Sequence, residues 1–396
     1  MKTKNISIGV VGCGYWGPNL IRNFRALPDC KVKTICDQDE NRLKQLKSLY
    51  PELATETSFE KLLADKTINA IIVATPVRFH YKMAKAALEA GKHTFIEKPM
   101  ASSSAECEEL NSIAAKNGLT LMIGHTFLYS SPVRKIKDIV KSGDIGNIQY
   151  ISSRRLNLGL YQKDINVAWD LAPHDISIIL YIMEQPPLSV NCRGNCHVTP
   201  GVEDVTNMAL TFSNNQLATI HNSWLDPRKV REMTIVGTRR MIVYDDVEPL
   251  EKIKIYDARV DRPPHYNTFA EFTYSYHYGD IYIPYVKQEE PLKVECQHFL
   301  DCINTGATPI SNGQHGLELV KILEASSRSL QQQGAPVHLD EEAPHARPVI
   351  QIRPNSRAAS NGHARGNGNG NGRVHAEGAN GNGNGSSSRT RGLEAA

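Results

Sequence analysis

The sequence predicts an α/β protein: a doubly wound parallel sheet at the N-terminus, then a second α/β domain built on an open sheet. Three observations carry this. Short apolar runs alternate with amphipathic segments up to about residue 125. The run Gly12-Cys13-Gly14-Tyr15-Trp16-Gly17 joins the first apolar run to the first amphipathic segment. Beyond residue 125 the runs lengthen, and apolar and polar residues alternate within them.

The elements follow in order. ISIGVVG at 6–12 is apolar throughout and reads as a strand buried on both faces. Residues 16–26 read as a helix and 31–36 as a second strand. Leu43, Leu46 and Leu49 give 41–50 helical spacing. A short helix at 58–63 precedes a strand at 70–74. A helix at 81–89 closes at Gly91, and after a strand at 94–97 a helix at 102–117 closes at Gly118. A strand at 120–124 ends this half. A βαβα alternation of this kind implies a parallel sheet covered on both faces, and right-handed crossovers make it doubly wound.

The second half opens with a helix at 133–142. Strand patterns follow at 148–157, 189–197, 205–212, 216–224, 232–237 and 241–244, as in an antiparallel or mixed sheet with one wet face. A helix at 173–183 interrupts them. Helices at 294–305 and 313–333 close the region, with apolar spacing suited to packing back onto the first half. The expected domains are 1–125, 126–339 and a tail at 340–396. The tail holds Asn-Gly repeats and no apolar periodicity, a composition that cannot offset the entropy of ordering.

Composition excludes several classes. The chain has 45 basic and 42 acidic side chains, a net charge of +3, too balanced for a nucleic-acid binder. No run approaches the roughly 18 apolar residues of a membrane helix. Eight cysteines without an export signal read as reduced cytoplasmic thiols. Cys192, Cys196 and His197 lack the spacing and the second pair of a zinc ribbon, so no metal is expected.

The Gly-x-Gly-x-x-Gly run follows a strand and opens a helix, which is the context of a dinucleotide-binding turn. Gly12 permits the turn, Gly14 admits a pyrophosphate and Gly17 lets helix and strand pack closely; Tyr15 and Trp16 lie between them. Asp37 ends the second strand, where an acid accepts from the adenosine ribose hydroxyls; a helix-capping role suits it as well. Gln38, Asp39 and Glu40 follow, with no Arg directly after it, which favours NAD over NADP. Thr75 and Pro76 with His80, then Glu97-Lys98-Pro99, then His125 stand at the ends of later strands, where open α/β sheets bind ligands.

Glu97-Lys98-Pro99 behind this fingerprint, with Asp170-x-x-x-His174 some 70 residues on, resembles the Gfo/Idh/MocA family of sugar and cyclitol oxidoreductases over about residues 5–338. The resemblance implies an N-terminal Rossmann domain and a C-terminal α/β domain. By the same resemblance, the open mixed sheet of the latter is expected to mediate homodimer or homotetramer formation. It also implies Lys98 and His174 as the catalytic pair. The runs at 124–129 and 155–159, and the run at 166–175 that holds Asn166, Trp169, Asp170 and His174, are similar to the branch that oxidises C3 of UDP-linked N-acetylhexosamines and their uronates. The expected activity is therefore NAD-dependent oxidation of a sugar nucleotide. A ketosugar reductase, a cyclitol or glycoside dehydrogenase and a silent NAD-binding regulator are the alternatives.

Asp170 and His174 share a helix face if the helix begins near Asp170, and the carboxylate then orients the imidazole. Strand alternation puts Arg155 and Asn157 on one face, with Arg154 on the other. Arg155 and Asn157 are the expected substrate contacts beside Lys98, with Lys163 also close in sequence. Trp169 fits two roles, a core aromatic and a stacking platform. The aromatic stretch at 274–285 reads as a loop.

Overall fold

The structure, a computed structural model, describes residues 5–162, 165–261 and 274–339; Lys163 and the tail at 340–396 lie outside the described residues. The first sheet holds β1 (Ile6–Val11), β2 (Cys30–Cys36), β3 (Ala54–Glu56), β4 (Ala70–Val73), β5 (His93–Glu97) and β6 (Leu121–Gly124). All pairs are parallel, in the order β3-β2-β1-β4-β5-β6. Helices α1 (Gly17–Arg25), α2 (Glu40–Leu49), α3 (Phe59–Ala64), α4 (His80–Glu89) and α5 (Ser104–Lys116) connect the strands. Asp39, Ser58 and Ser103 cap α2, α3 and α5 by accepting from Asn41, Lys61 and Glu106 N–H.

Register aligns the carboxyl ends. Val11 pairs with both Cys36 and Val73, Val73 faces Ile96, and Glu97 faces Gly124. Gly12, Asp37, Thr75, Lys98 and His125 therefore emerge along one edge. The crevice between β1 and β4, where the strand order reverses, lies at its centre.

The second half contains α6 (Ser131–Lys141), β7 (Ile148–Leu156), α7 (Val167–Met183), β8 (Ser189–Asn195), β9 (Val205–Thr211), β10 (Leu217–Ser223), β11 (Val230–Gly237), β12 (Met241–Asp245), β13 (Ile253–Asp261), β14 (Ser275–Tyr282), α8 (Pro291–Thr305), α9 (Gly313–Gln331) and β15 (Val337–His338). Its nine strands run β14-β13-β12-β11-β7-β10-β9-β8-β15. Only β7 and β10 pair in parallel, so the sheet is mixed. Helix α7 covers β7, β9 and β10, and α9 covers β8 and β15. Along β7, Ile151, Ser153 and Arg155 are buried, while Tyr150 and Arg154 are exposed, so the far face of the sheet is open.

Two helices return to the first sheet, as their spacing suggested. Phe299 of α8 packs edge-on against Phe24 and Phe95 at ring separations of 6.3 and 5.7 Å. Helix α9 lies against α5 and β6.

Three expectations change. Helix α7 starts at Val167, capped by Asn166, six residues before Pro173. The aromatic stretch is a strand, β14, rather than a loop. With β13 it extends the sheet beyond β12, and most of its side chains are exposed. β3 is a three-residue strand without an apolar run to announce it. Among the described residues, no helix is long and apolar enough to cross a membrane.

Candidate active site

The glycine turn fits a dinucleotide. Gly12 has φ +95°, and a Cβ there would lie 2.5 Å from the Ala74 carbonyl oxygen. A Cβ on Gly17 would lie 2.0 Å from the Gly12 oxygen. The protein itself demands these two glycines. Gly14 is different: a Cβ there would meet nothing nearer than Arg42 Nη1 at 3.6 Å. Its bareness leaves room above the loop for phosphate, beside the uncapped start of α1. Tyr15 and Trp16 stack on each other at 6.5 Å over this loop.

Asp37 accepts from Cys13 N–H at 2.7 Å and Asp39 N–H at 2.9 Å, which fixes its carboxylate at the end of β2. Arg42, absent from the sequence reading, stands in the first turn of α2. Its Nη1 lies 3.7 Å from Asp37 and its Nε 3.5 Å from Asp39. Thr75 and Pro76 follow the end of β4 at the crevice. His80 does not present itself to a ligand. It is buried, with its ring nitrogens 2.8 Å from the Pro99 oxygen and 2.7 Å from the Thr75 oxygen. It ties two strand ends together.

Lys98 crosses from β5 to α7. Its Nζ donates to the Asp170 backbone oxygen at 2.9 Å and lies 3.7 Å from Asp170 Oδ1. Pro173 interrupts the hydrogen-bond ladder of this turn. The other carboxylate oxygen, Oδ2, accepts from the Trp224 indole at 3.0 Å. Asp170 thus serves Lys98, and it makes no hydrogen bond to His174, contrary to the spacing argument. His174 packs against Phe127 at 5.1 Å, and its Nδ1 has no hydrogen-bond partner among the described residues. Burial, then the charges of Lys98 and Arg155, hold its pKa well below the usual histidine range. It is neutral near pH 7 and able to accept a proton.

Behind this pair lies a buried polar layer. Neither ring nitrogen of His125 has a partner among the described residues, and the His315 ring stands 5.2 Å away. Burial lowers the pKa of both, that of His315 to about 4. Glu97, packed over Gly124, has its pKa raised to about 7 by burial. Glu295 of α8 accepts from Thr126 at 2.7 Å and is pushed well above its ordinary value by burial and by Glu97.

The expected substrate contacts divide. Trp169 is a core residue: it is buried and donates to Ser327 Oγ at 2.9 Å. Asn166 caps α7 and donates to Glu203 at 2.8 Å. Arg155 lies under the site, its Nε and Nη2 bound to Asp175 at 2.7 and 3.1 Å. Asn157 remains at the rim and accepts from Arg231 at 2.8 Å. The sequence reading missed Trp224, Asp175, Arg231 and Glu295. Each meets its partner only through long-range pairing of elements, as Arg231 meets Asn157 through β11 beside β7, and no local spacing signals it.

Residues 6–125 match the oxidoreductase family with an NAD-binding Rossmann fold, and residues 133–243 match the GFO/IDH/MocA C-terminal domain. Together they cover more than half of the chain. The chain belongs to the Gfo/Idh/MocA oxidoreductase family. Its first domain is the family's NAD-binding Rossmann domain, and the crevice above Gly14 and Asp37 suits NAD. Among relatives, the uncharacterized oxidoreductase YrbE of Bacillus subtilis is 29% identical, over 83% of this chain and 95% of its own length. Myo-inositol 2-dehydrogenase of Thermotoga maritima is 25% identical, over 82% of this chain and 96% of its own. UDP-N-acetylglucosamine 3-dehydrogenase GnnA of Acidithiobacillus ferrooxidans shares the fold at a TM-score of 0.69 and 21% identity, covering 83% of this chain and 98% of that one. An Agrobacterium radiobacter oxidoreductase crystallised with NAD+ and L-tartaric acid shares it at 0.73 and 17% identity, covering 85% and 99%.

Proposed function

We propose that the chain oxidises a ring hydroxyl, that of C3, in a UDP-linked N-acetylhexosamine or its uronate, with NAD as oxidant. The observation that carries this reading is the convergence of Lys98 with a buried, neutral His174 beside the dinucleotide crevice. The sequence runs at 124–129, 155–159 and 166–175 support the nucleotide-sugar half of it.

Oxidising a secondary alcohol removes a hydride from carbon and a proton from oxygen. Bound NAD supplies the hydride acceptor. The chain's own groups handle the proton. His174, kept neutral by burial and neighbouring cations, accepts it. Lys98 stands over the same space and stabilises the negative charge that develops on oxygen. Asp170 fixes the Lys98 ammonium, and Trp224 fixes Asp170.

A cyclitol dehydrogenase is the second reading, favoured by the nearly full-length match to the Thermotoga myo-inositol enzyme. Formation of reduced nicotinamide from NAD with UDP-N-acetylglucosamine, its uronate or myo-inositol separates the two. Turnover of myo-inositol alone would overturn the nucleotide-sugar reading, and turnover of none would favour a silent NAD-binding regulator. A cytoplasmic homo-oligomer joined through the open face of the second sheet completes the proposal.

A further inference from the structure

Arg231 on β11 stands directly opposite Arg155 on β7. Like charges facing each other across a strand pair repel. Arg155 is neutralised by Asp175. Arg231 is not: Asp175, Asp246 and Asp170 act on it only through space, and burial and Arg155 pull its pKa down to about 10. Its Nη1 donates to the Leu156 and Val230 oxygens at 3.0 and 2.8 Å, and its Nη2 to Asn157 Oδ1 at 2.8 Å. A guanidinium carries five N–H donors. The Nε–H and one Nη2–H, on adjacent nitrogens, have no partner among the described residues. That pair matches the two oxygens of a carboxylate.

Arg231 also shares a wall with the reacting groups. A Cβ on Gly159 would lie 2.9 Å from Asn157 Nδ2 and 2.7 Å from Trp224 Cδ1, so this bare turn lets the two side chains close up. Trp224 in turn holds Asp170, and the Arg231 charge reaches the His174 ring. A purely structural Arg231 would remain a half-buried cation facing a second arginine with no acid of its own.

We infer that Arg231 anchors a carboxylate on the substrate's sugar ring, so that the site prefers an acidic sugar to a neutral one. The inference rests on the dehydrogenase reading of the same site. It is tested by calorimetric binding of D-glucuronate, D-glucose and UDP to the NAD-loaded protein. Glucuronate should bind tighter than glucose by roughly ten- to a hundredfold. Arg231→Gln should abolish that preference, and Arg231→Lys should keep part of it; retained NAD affinity reports that both variants are folded. Equal binding of glucuronate and glucose, or an undiminished preference in Arg231→Gln, would overturn the inference. So would equal weakening of UDP, because UDP carries a diphosphate and no ring carboxylate. Failure of the dehydrogenase reading looks different: no sugar reduces NAD, yet the Arg231-dependent preference for glucuronate persists.

Discussion

At the scale of single residues, the proposed chemistry asks for a histidine kept neutral and a lysine kept in place. His174 titrates below the ordinary range, because burial and the Lys98 and Arg155 charges all oppose its protonation. A base with a lowered pKa stays competent to a lower pH. The acidic limb of kcat/KM should therefore fall below the unperturbed histidine value of about 6.5. His174→Asn should remove that limb and cut turnover by roughly 10²–10⁴-fold, while NAD titration shows binding retained. Near-native turnover with an unchanged profile would leave Lys98 as the base. Cofactor choice is a second matter at this scale. With Asp37 proposed at the ribose edge, NAD should bind better than NADP, but Arg42 partly screens its charge. Asp37→Ala should narrow the gap and Arg42→Ala should widen it, each read as the ratio of the two dissociation constants. The glycines and Lys98 were legible in sequence as residues at strand ends, and His174 came from the family resemblance. Arg42 was not, since a helix turn rather than adjacency brings it to Asp37.

At the scale of elements, α7 decides how the site is presented. Asn166 accepts from Trp169 N–H and donates to Glu203, so it caps the helix and ties it to the segment before β9. Asn166→Ala should lower stability by about 1 kcal/mol, measured from denaturant midpoints at constant slope. An unchanged midpoint would assign the helix start to packing alone. The sequence reading began this helix at Pro173, because a proline reads as a first-turn residue. The structure carries it in the interior, where apolar burial of Val167, Ala168, Trp169 and Ala172 compensates. The same early start explains Trp169 and Asn166. Both lie in the run likened to the nucleotide-sugar branch, with a core role left open for Trp169, and one helical turn directs the indole to α9 and the amide to Glu203. The central parallel strands of the first sheet, such as β1 and β4, were readable because burial on both faces makes them continuous apolar runs. Strand β14 was not, because its side chains are exposed on both faces and no buried apolar row marks it.

At the scale of the whole molecule, the open face of the second sheet carries an ordered row of charge. Register places Arg193, Asn207, His221, Arg154, Glu232 and Asp245 side by side across six strands. Side chains directly opposite one another share a face, and Arg154 is exposed on the open side. The row therefore runs from basic at β8 to acidic at β12. A two-fold axis through its middle would lay the basic end of one copy over the acidic end of the other. Such a pairing is self-complementary, as a two-fold interface must be. A shifted or parallel stacking would set like charges together, so the row selects register more than it adds affinity. Light scattering should find an oligomer that loosens as salt rises, since partly exposed pairs are screened. Arg193→Glu should weaken the assembly by setting acid over the acidic end of the other copy. Adding Asp245→Arg restores complementary ends with their signs exchanged, and should recover part of the loss. A monomer at every salt concentration, or an oligomer indifferent to Arg193→Glu, would show that the open face is not where the copies meet.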